Sequence, residues 1–177
     1  MKPEAKTNEY YMGLALEEAR RAEERDEVPI GCIIVKDGMV ISSTCNARQE
    51  SQISTHHAEI LAIEEACRRL GSWRLEDCDL YVTLEPCPMC AGAILQSRIR
   101  SVYYGASDHK GGCVDTLMKM YETPGFNHYP KWEGGIRQEE CAAILSDFFR
   151  KKREQKKREK LLQTQNQTAE SPAPEKL

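Results

Sequence analysis

The 177-residue chain predicts an α/β fold: a three-layer α-β-α sandwich whose mixed central sheet is opened by an antiparallel hairpin. Three observations carry this. Short apolar runs alternate with stretches of helical periodicity, the pattern of a layered sheet. An Asp-Gly pair joins the first two runs, which makes them antiparallel. The length is that of one domain, enough to bury a core unaided.

Residues 8–26 read as an amphipathic helix, with Met12, Ala15, Leu16, Ala19 and Ala22 at spacings of three and four. VPIGCIIV, then Lys36-Asp37-Gly38, then MVISSTC read as the hairpin. A polar loop follows through Ser54. HAEILAIEEACRRLG is helical: Ile60, Ile63, Cys67 and Leu70 share a face, and Gly71 stands where a terminating glycine belongs. LYVTL, residues 80–84, is a strand. Pro88 opens a helix through Ser97, where its missing N–H costs nothing. IRSVYYG is another strand. Two glycines and a short helical segment from Val114 to Met120 lead into a loop rich in Gly, Pro and aromatics. The last helix begins near Arg137, with Cys141, Ile144, Leu145 and Phe148 as its apolar stripe. Residues 1–150 are thus expected to form one domain, 151–163 a basic helical extension, and 164–177, rich in Gln, Thr, Ser and Pro, a disordered tail. No internal repeats occur.

Composition narrows the function. No run of 18 apolar residues exists and the N-terminus has no apolar segment of signal-peptide type, which argues against membrane insertion and secretion. Eight cysteines are scattered through apolar and helical stretches, so reduced thiols with a metal site are expected rather than a disulfide framework. The net charge of −3 hides an asymmetry: residues 1–149 carry 16 Lys and Arg against 24 Asp and Glu, whereas residues 150–177 carry 9 against 4. The globular part is a poor binder of polyanions; the tail is a good one.

The chemistry centres on LEPCPMCAGA. Cys87 and Cys90 follow a strand and open a helix, a placement that suits a redox couple and a metal site equally. The deciding residues lie thirty positions upstream, in THHAEI. His57 also stands at a helix start, with Glu59 two residues on. Two residues apart is about 200° around a helix, so the two converge only past its N-terminal end. If the two helix starts face each other, His57, Cys87 and Cys90 meet with Glu59 beside them. Helix N-termini favour thiolates, and one imidazole with two thiolates suits Zn2+. Three protein ligands leave a fourth position open, as catalysis requires; a purely structural site would need a fourth ligand, for which Cys113, His109 and His56 are the candidates. Cys32, Cys45, Cys67, Cys78 and Cys141 read as small buried hydrophobes.

H-x-E together with P-C-x-x-C is identified as the signature of the zinc nucleobase deaminases. Beyond it, VPIG, Asn46, HAEI, VTLEPCPMCAGAI, YGASD, PGFNH and ECAAILSDFF resemble the tRNA adenosine deaminases that make inosine at the anticodon wobble position, a likeness covering about residues 8–150. The continuation into KKREQKKREK resembles the eukaryotic catalytic subunits. The resemblance implies a cytidine-deaminase-like fold and hydrolytic deamination at C6 of adenine by a zinc-activated water, with Glu59 as proton shuttle. It also implies that Asn46 contacts the nucleoside, that Val28 and the turn of Leu84, Glu85 and Pro86 line its pocket, and that the chain forms a heterodimer with a related non-catalytic subunit rather than a homodimer, in cytoplasm or nucleus. For tRNA contact the candidates are Arg150, Lys151, Lys152, Arg153, Lys156, Lys157, Arg158 and Lys160; the bland alternative is a solvated helix end held by pairs such as Glu154 with Arg158. The competing functions are a deaminase of free nucleosides, nucleotides or bases, a non-catalytic RNA-binding subunit with structural zinc, and a Cys87–Cys90 redox protein.

Overall fold

A computed structural model describes residues 6–169. Helix α1 spans Asn8–Glu24, and strands β1 (Gly31–Lys36) and β2 (Met39–Cys45) form the hairpin. A single turn, α2 (Arg48–Ser51), precedes α3 (Ala58–Leu70). Strand β3 (Cys78–Leu84), helix α4 (Pro88–Gln96) and strand β4 (Ser101–Ala106) follow. A short strand, β5 (Lys131–Glu133), and the long helix α5 (Gln138–Ala169) complete the fold. The sheet order is β2-β1-β3-β4-β5, with β1 antiparallel to both neighbours and β3, β4 and β5 parallel.

Local chemistry sets these boundaries. Thr7 caps α1 by accepting the Tyr10 N–H. Asp37 and Gly38 both take positive φ, as the tight hairpin turn requires. Gly71 ends α3 at φ 63°.

Alternation along the strands loads both faces of the sheet. Cys32 and Ile34 of β1, Leu80 and Val82 of β3 and Val102 and Tyr104 of β4 pack under α3 and α4. Ile33, Val35, Tyr81 and Ala106 face the α1 and α5 side. The result is the expected three-layer sandwich. Helix α5 docks on β4 over Gly105, where an added Cβ would lie 2.3 Å from Cys141 Sγ and 2.8 Å from the Thr83 carbonyl oxygen. Among the described residues no helix is long and apolar enough to cross a membrane.

Several sequence expectations change, among them the first strand, which starts at Gly31 rather than Val28. The segment from Val114 to Met120 is not a helix; only a 3-10 turn, Met120–Glu122, forms, because the N–H groups of residues 114–116 bond to the Glu85 carboxylate instead. The stretches assigned to loops contain α2 and β5. The fourth strand starts at Ser101 rather than Ile99. Helix α5 runs through residues 151–163, the expected helical extension, and continues to Ala169, so the start of the expected disordered tail is helical; residues 170–177 lie outside the described residues.

Candidate active site

Two helix N-termini build the site. His57 is the N-cap of α3 and Cys87 the N-cap of α4, each with extended backbone. Their carbonyls begin the helical ladders, accepting from Leu61 and Ala91. Neither cap side chain bonds a backbone N–H of its helix, so both are available to a ligand. Pro88 occupies the first helical position, and Cys90 sits two residues further on.

The ligand atoms of His57, Cys87 and Cys90 all lie within 4.8 Å of one another. Nδ1 of His57 is 3.7 Å from Cys87 Sγ and 3.6 Å from Cys90 Sγ. A tetrahedral zinc with ordinary Zn–N and Zn–S bonds needs nitrogen–sulfur edges of about 3.6 Å. The donor set therefore fits zinc in both type and spacing. Among the described residues no fourth His, Cys, Asp or Glu joins the three. Cys113, one candidate for that place, points its thiol at Met118 Sδ.

Electrostatics set the protonation of the group. A hydrogen bond from Cys90, aided by His57, holds the Cys87 thiol down to about 4. Cys90 moves up, because it donates that bond and is buried. His57 is raised, chiefly by its bond to Cys87. Glu59, in the first turn of α3 and 4% exposed, is pushed up to about 7 by burial. A carboxyl poised there exchanges protons at neutral pH.

Beside these residues is a cavity of about 260 Å³, the size of a nucleobase with part of its ribose. Of the residues expected to line it, Asn46, Val28, Leu84 and Glu85 do so. Pro86 does not; its carbonyl accepts the Cys113 N–H at 2.8 Å from behind. Asn46 Oδ1 accepts the Ala58 N–H at 2.9 Å, which fixes the amide and leaves its nitrogen as the free donor. The Glu85 carboxylate is engaged with the 108–116 loop. Burial would raise its pKa, but the N–H groups of Asp115, Asp108 and Thr116 outweigh it and hold the group below the usual carboxylate range. Glu27, Ile30, Arg48 and Gln49 also line the cavity, as does Asp108 of the YGASD segment. The first four follow no periodicity; the position of Glu27 and Ile30 around VPIG was the one available signal.

The basic run lies nearby. A cleft of about 670 Å³, lined by Arg25, Phe148, Phe149, Lys152 and Lys156, shares Val28 and Gln49 with the smaller cavity. Three of the eight basic side chains are already paired. Arg150 meets Asp147 at 2.7 Å, Lys151 meets Glu23 at 2.8 Å, and Lys152 contacts Asp26. Arg153, Lys156, Lys157, Arg158 and Lys160 have no ion-pair partner among the described residues. The Glu154–Arg158 pair expected of a merely solvated helix end is absent there; Gln155 bonds Glu159 instead.

Comparison with known proteins adds to this geometry. The family model for the zinc-binding region of cytidine and deoxycytidylate deaminases matches residues 5–106. A protein of Bacillus subtilis strain 168 named tRNA-specific adenosine deaminase is 51% identical over 150 residues, 85% of this chain and 93% of that one. A structure solved in work on A-to-I editing by tRNA:A34 deaminases at the wobble position is 51% identical with a TM-score of 0.75, covering 77% of this chain and 99% of that one. A guanine deaminase from Nitrosomonas europaea, 24% identical with a TM-score of 0.66 over 80% of this chain and 84% of that one, shares the fold.

Proposed function

The chain belongs to the zinc-binding cytidine and deoxycytidylate deaminase family, and within it to the tRNA-specific adenosine deaminases; from that membership we propose that it hydrolyses adenosine to inosine at the wobble position, 34, of tRNA anticodons. The observation that carries the reading is the convergence of His57, Cys87 and Cys90 beside buried Glu59 at the floor of a nucleoside-sized cavity.

His57 Nδ1 and the two sulfurs would hold zinc, which when bound would supply a water made nucleophilic at neutral pH. Glu59 accepts a proton from the attacking water and delivers it to N1 of adenine. It then carries the water's second proton, from the hydroxyl now on C6, to the departing amino group, which leaves C6 as ammonia. Asn46 offers its amide N–H to the nucleoside, and Val28 and Leu84 supply apolar walls. Pro86 supports the turn from behind. An anticodon-loop adenine is already unpaired, so extruding it costs less than in a duplex.

The acidic globular part makes phosphate contact depend on α5. Lys156, which has no ion-pair partner among the described residues, lines the Phe148–Phe149 cleft next to the cavity and begins a path for the RNA beyond the target base, with Arg153, Lys157, Arg158 and Lys160 further along the helix. The finer likeness to a eukaryotic catalytic subunit rests on the basic continuation KKREQKKREK alone, since the relatives at about 50% identity are bacterial. In that reading a related non-catalytic chain completes a heterodimer that works in cytoplasm or nucleus. A purified chain that forms a stable homodimer and deaminates anticodon stem-loops unaided would overturn the heterodimer.

The deciding experiment measures inosine at position 34 in cells whose sole copy carries Glu59→Ala. Inosine should vanish while protein level and tRNA binding persist. Persistent inosine would mean that another chain is the catalyst.

A further inference from the structure

We propose that Glu85 is a positioning residue: its carboxylate gathers the 108–116 loop and so sets Asp108 in the wall of the cavity, two residues ahead of the ligand Cys87. The inference rests on the deaminase reading for what the wall does, but its geometry stands alone.

Five donors surround this carboxylate. Oε1 accepts the backbone N–H groups of Val114 (3.1 Å), Asp115 (2.8 Å) and Thr116 (3.1 Å). Oε2 accepts the Asp108 N–H at 3.0 Å and lies 2.8 Å from the Thr116 hydroxyl. That hydroxyl is also 2.7 Å from the Asp108 carbonyl oxygen, so its single proton serves one acceptor at a time. Three successive N–H groups aimed at one oxygen form an anion nest, and the anion here is a side chain of the protein itself. A carboxylate has about four acceptor sites, so none is left over for a substrate. Glu85 is 2% exposed, and burying its charge is tolerable because the loop supplies the donors.

The loop is shaped for this guest. A Cβ on Gly112 would lie 2.3 Å from Glu85 Oε2 and 2.5 Å from the Thr116 hydroxyl, so only glycine lets the carboxylate in. Asp108 Oδ1 accepts the N–H groups of Lys110 and Gly111, closing the first turn of the loop. The Cys113 N–H on the Pro86 carbonyl ties the loop a second time to the turn that bears Cys87. Asp108 thus reaches the cavity wall through a chain of contacts that starts at Glu85. The amide of Gln has one acceptor oxygen, and its NH2 would face N–H donors.

The test compares full-length wild type, Glu85→Gln and the milder Thr116→Val, each purified with any subunit it retains. Deamination of an anticodon stem-loop, zinc content, and hydrogen exchange of residues 108–116 are followed together. In Glu85→Gln, exchange of the loop should quicken with one zinc retained per chain. KM should rise about tenfold to a hundredfold, the factor for one or two unmade buried hydrogen bonds, with kcat within about threefold of wild type. Thr116→Val should shift the same quantities in the same direction by less, and it carries the test if the glutamine variant does not fold. Unchanged loop exchange, a fall in kcat at constant KM, or loss of zinc together with activity would each overturn the proposal. A wild type without turnover would instead strike the deaminase reading, while the exchange measurement still decides whether Glu85 holds the loop.

Discussion

Two sets of three substitutions with equal loss of charge should affect RNA binding unequally. The inner set replaces Arg150, Lys151 and Lys152 by Gln; the outer set replaces Arg153, Lys156 and Lys157. Inner side chains already face carboxylates of Asp147, Glu23 and Asp26, so a phosphate approaching them meets a neutralised pair. The outer three have no such partner among the described residues, and Lys156 lines the aromatic cleft beside the cavity. Each phosphate neutralised contributes about 0.7 to 0.9 to the slope of log K against log salt. Loss of three real contacts should therefore flatten the slope by about 2 to 3, and loss of three paired cations by less than about 1. Fluorescence anisotropy of a labelled anticodon stem-loop over a salt series measures this directly, with Glu59→Ala in every chain to prevent turnover. Equal flattening by both sets, or more by the inner one, would refute the division of the run.

Removing zinc with a chelator should abolish deamination and expose one reactive thiolate. Cys87, held near 4 and half-buried, should be alkylated by iodoacetamide at neutral pH ahead of Cys32, Cys45, Cys78 and Cys141, which burial raises; mass spectrometry should find zinc protective, and modification spread over all the cysteines would count against the site. Gly105→Ala should destabilise the fold by about 1 to 3 kcal/mol through overpacking against Cys141, read as a lower urea midpoint at constant m-value. Leu80→Ala, at a position with no exposed surface, should cost about 2 to 5 kcal/mol by leaving a cavity.

What the sequence disclosed was what local chemistry encodes. The Asp-Gly hairpin, the Gly71 stop and the proline after Cys87 announce their conformations within a few residues, and His57 and Cys87 sit at the predicted helix starts. The candidate metal donors were legible because only a few residue types bind zinc. The segment after Gly112 was not, since it read as a short helix while a carboxylate about thirty residues upstream claimed its N–H groups. Strand β5 has three residues, two of them exposed, and so carries almost no pattern. Glu27 reaches the cavity from a loop and Arg48 and Gln49 from the single turn of α2, segments too short for any periodicity to report.

The end of β3 places a cavity wall at Leu84, a loop clamp at Glu85, a backbone brace at Pro86 and a candidate metal ligand at Cys87, four duties in four consecutive residues. An insertion or slip there would disturb all four at once, so gradual adjustment is closed to this stretch. Arg48 and Gln49 of α2 and Asp108 of the 108–116 loop line the same cavity from segments that hold none of the three candidate metal ligands. The two sides of the wall therefore differ in freedom: the α2 side can be redrawn with the ligand-bearing turn left in place, whereas the Asp108 side moves with Glu85.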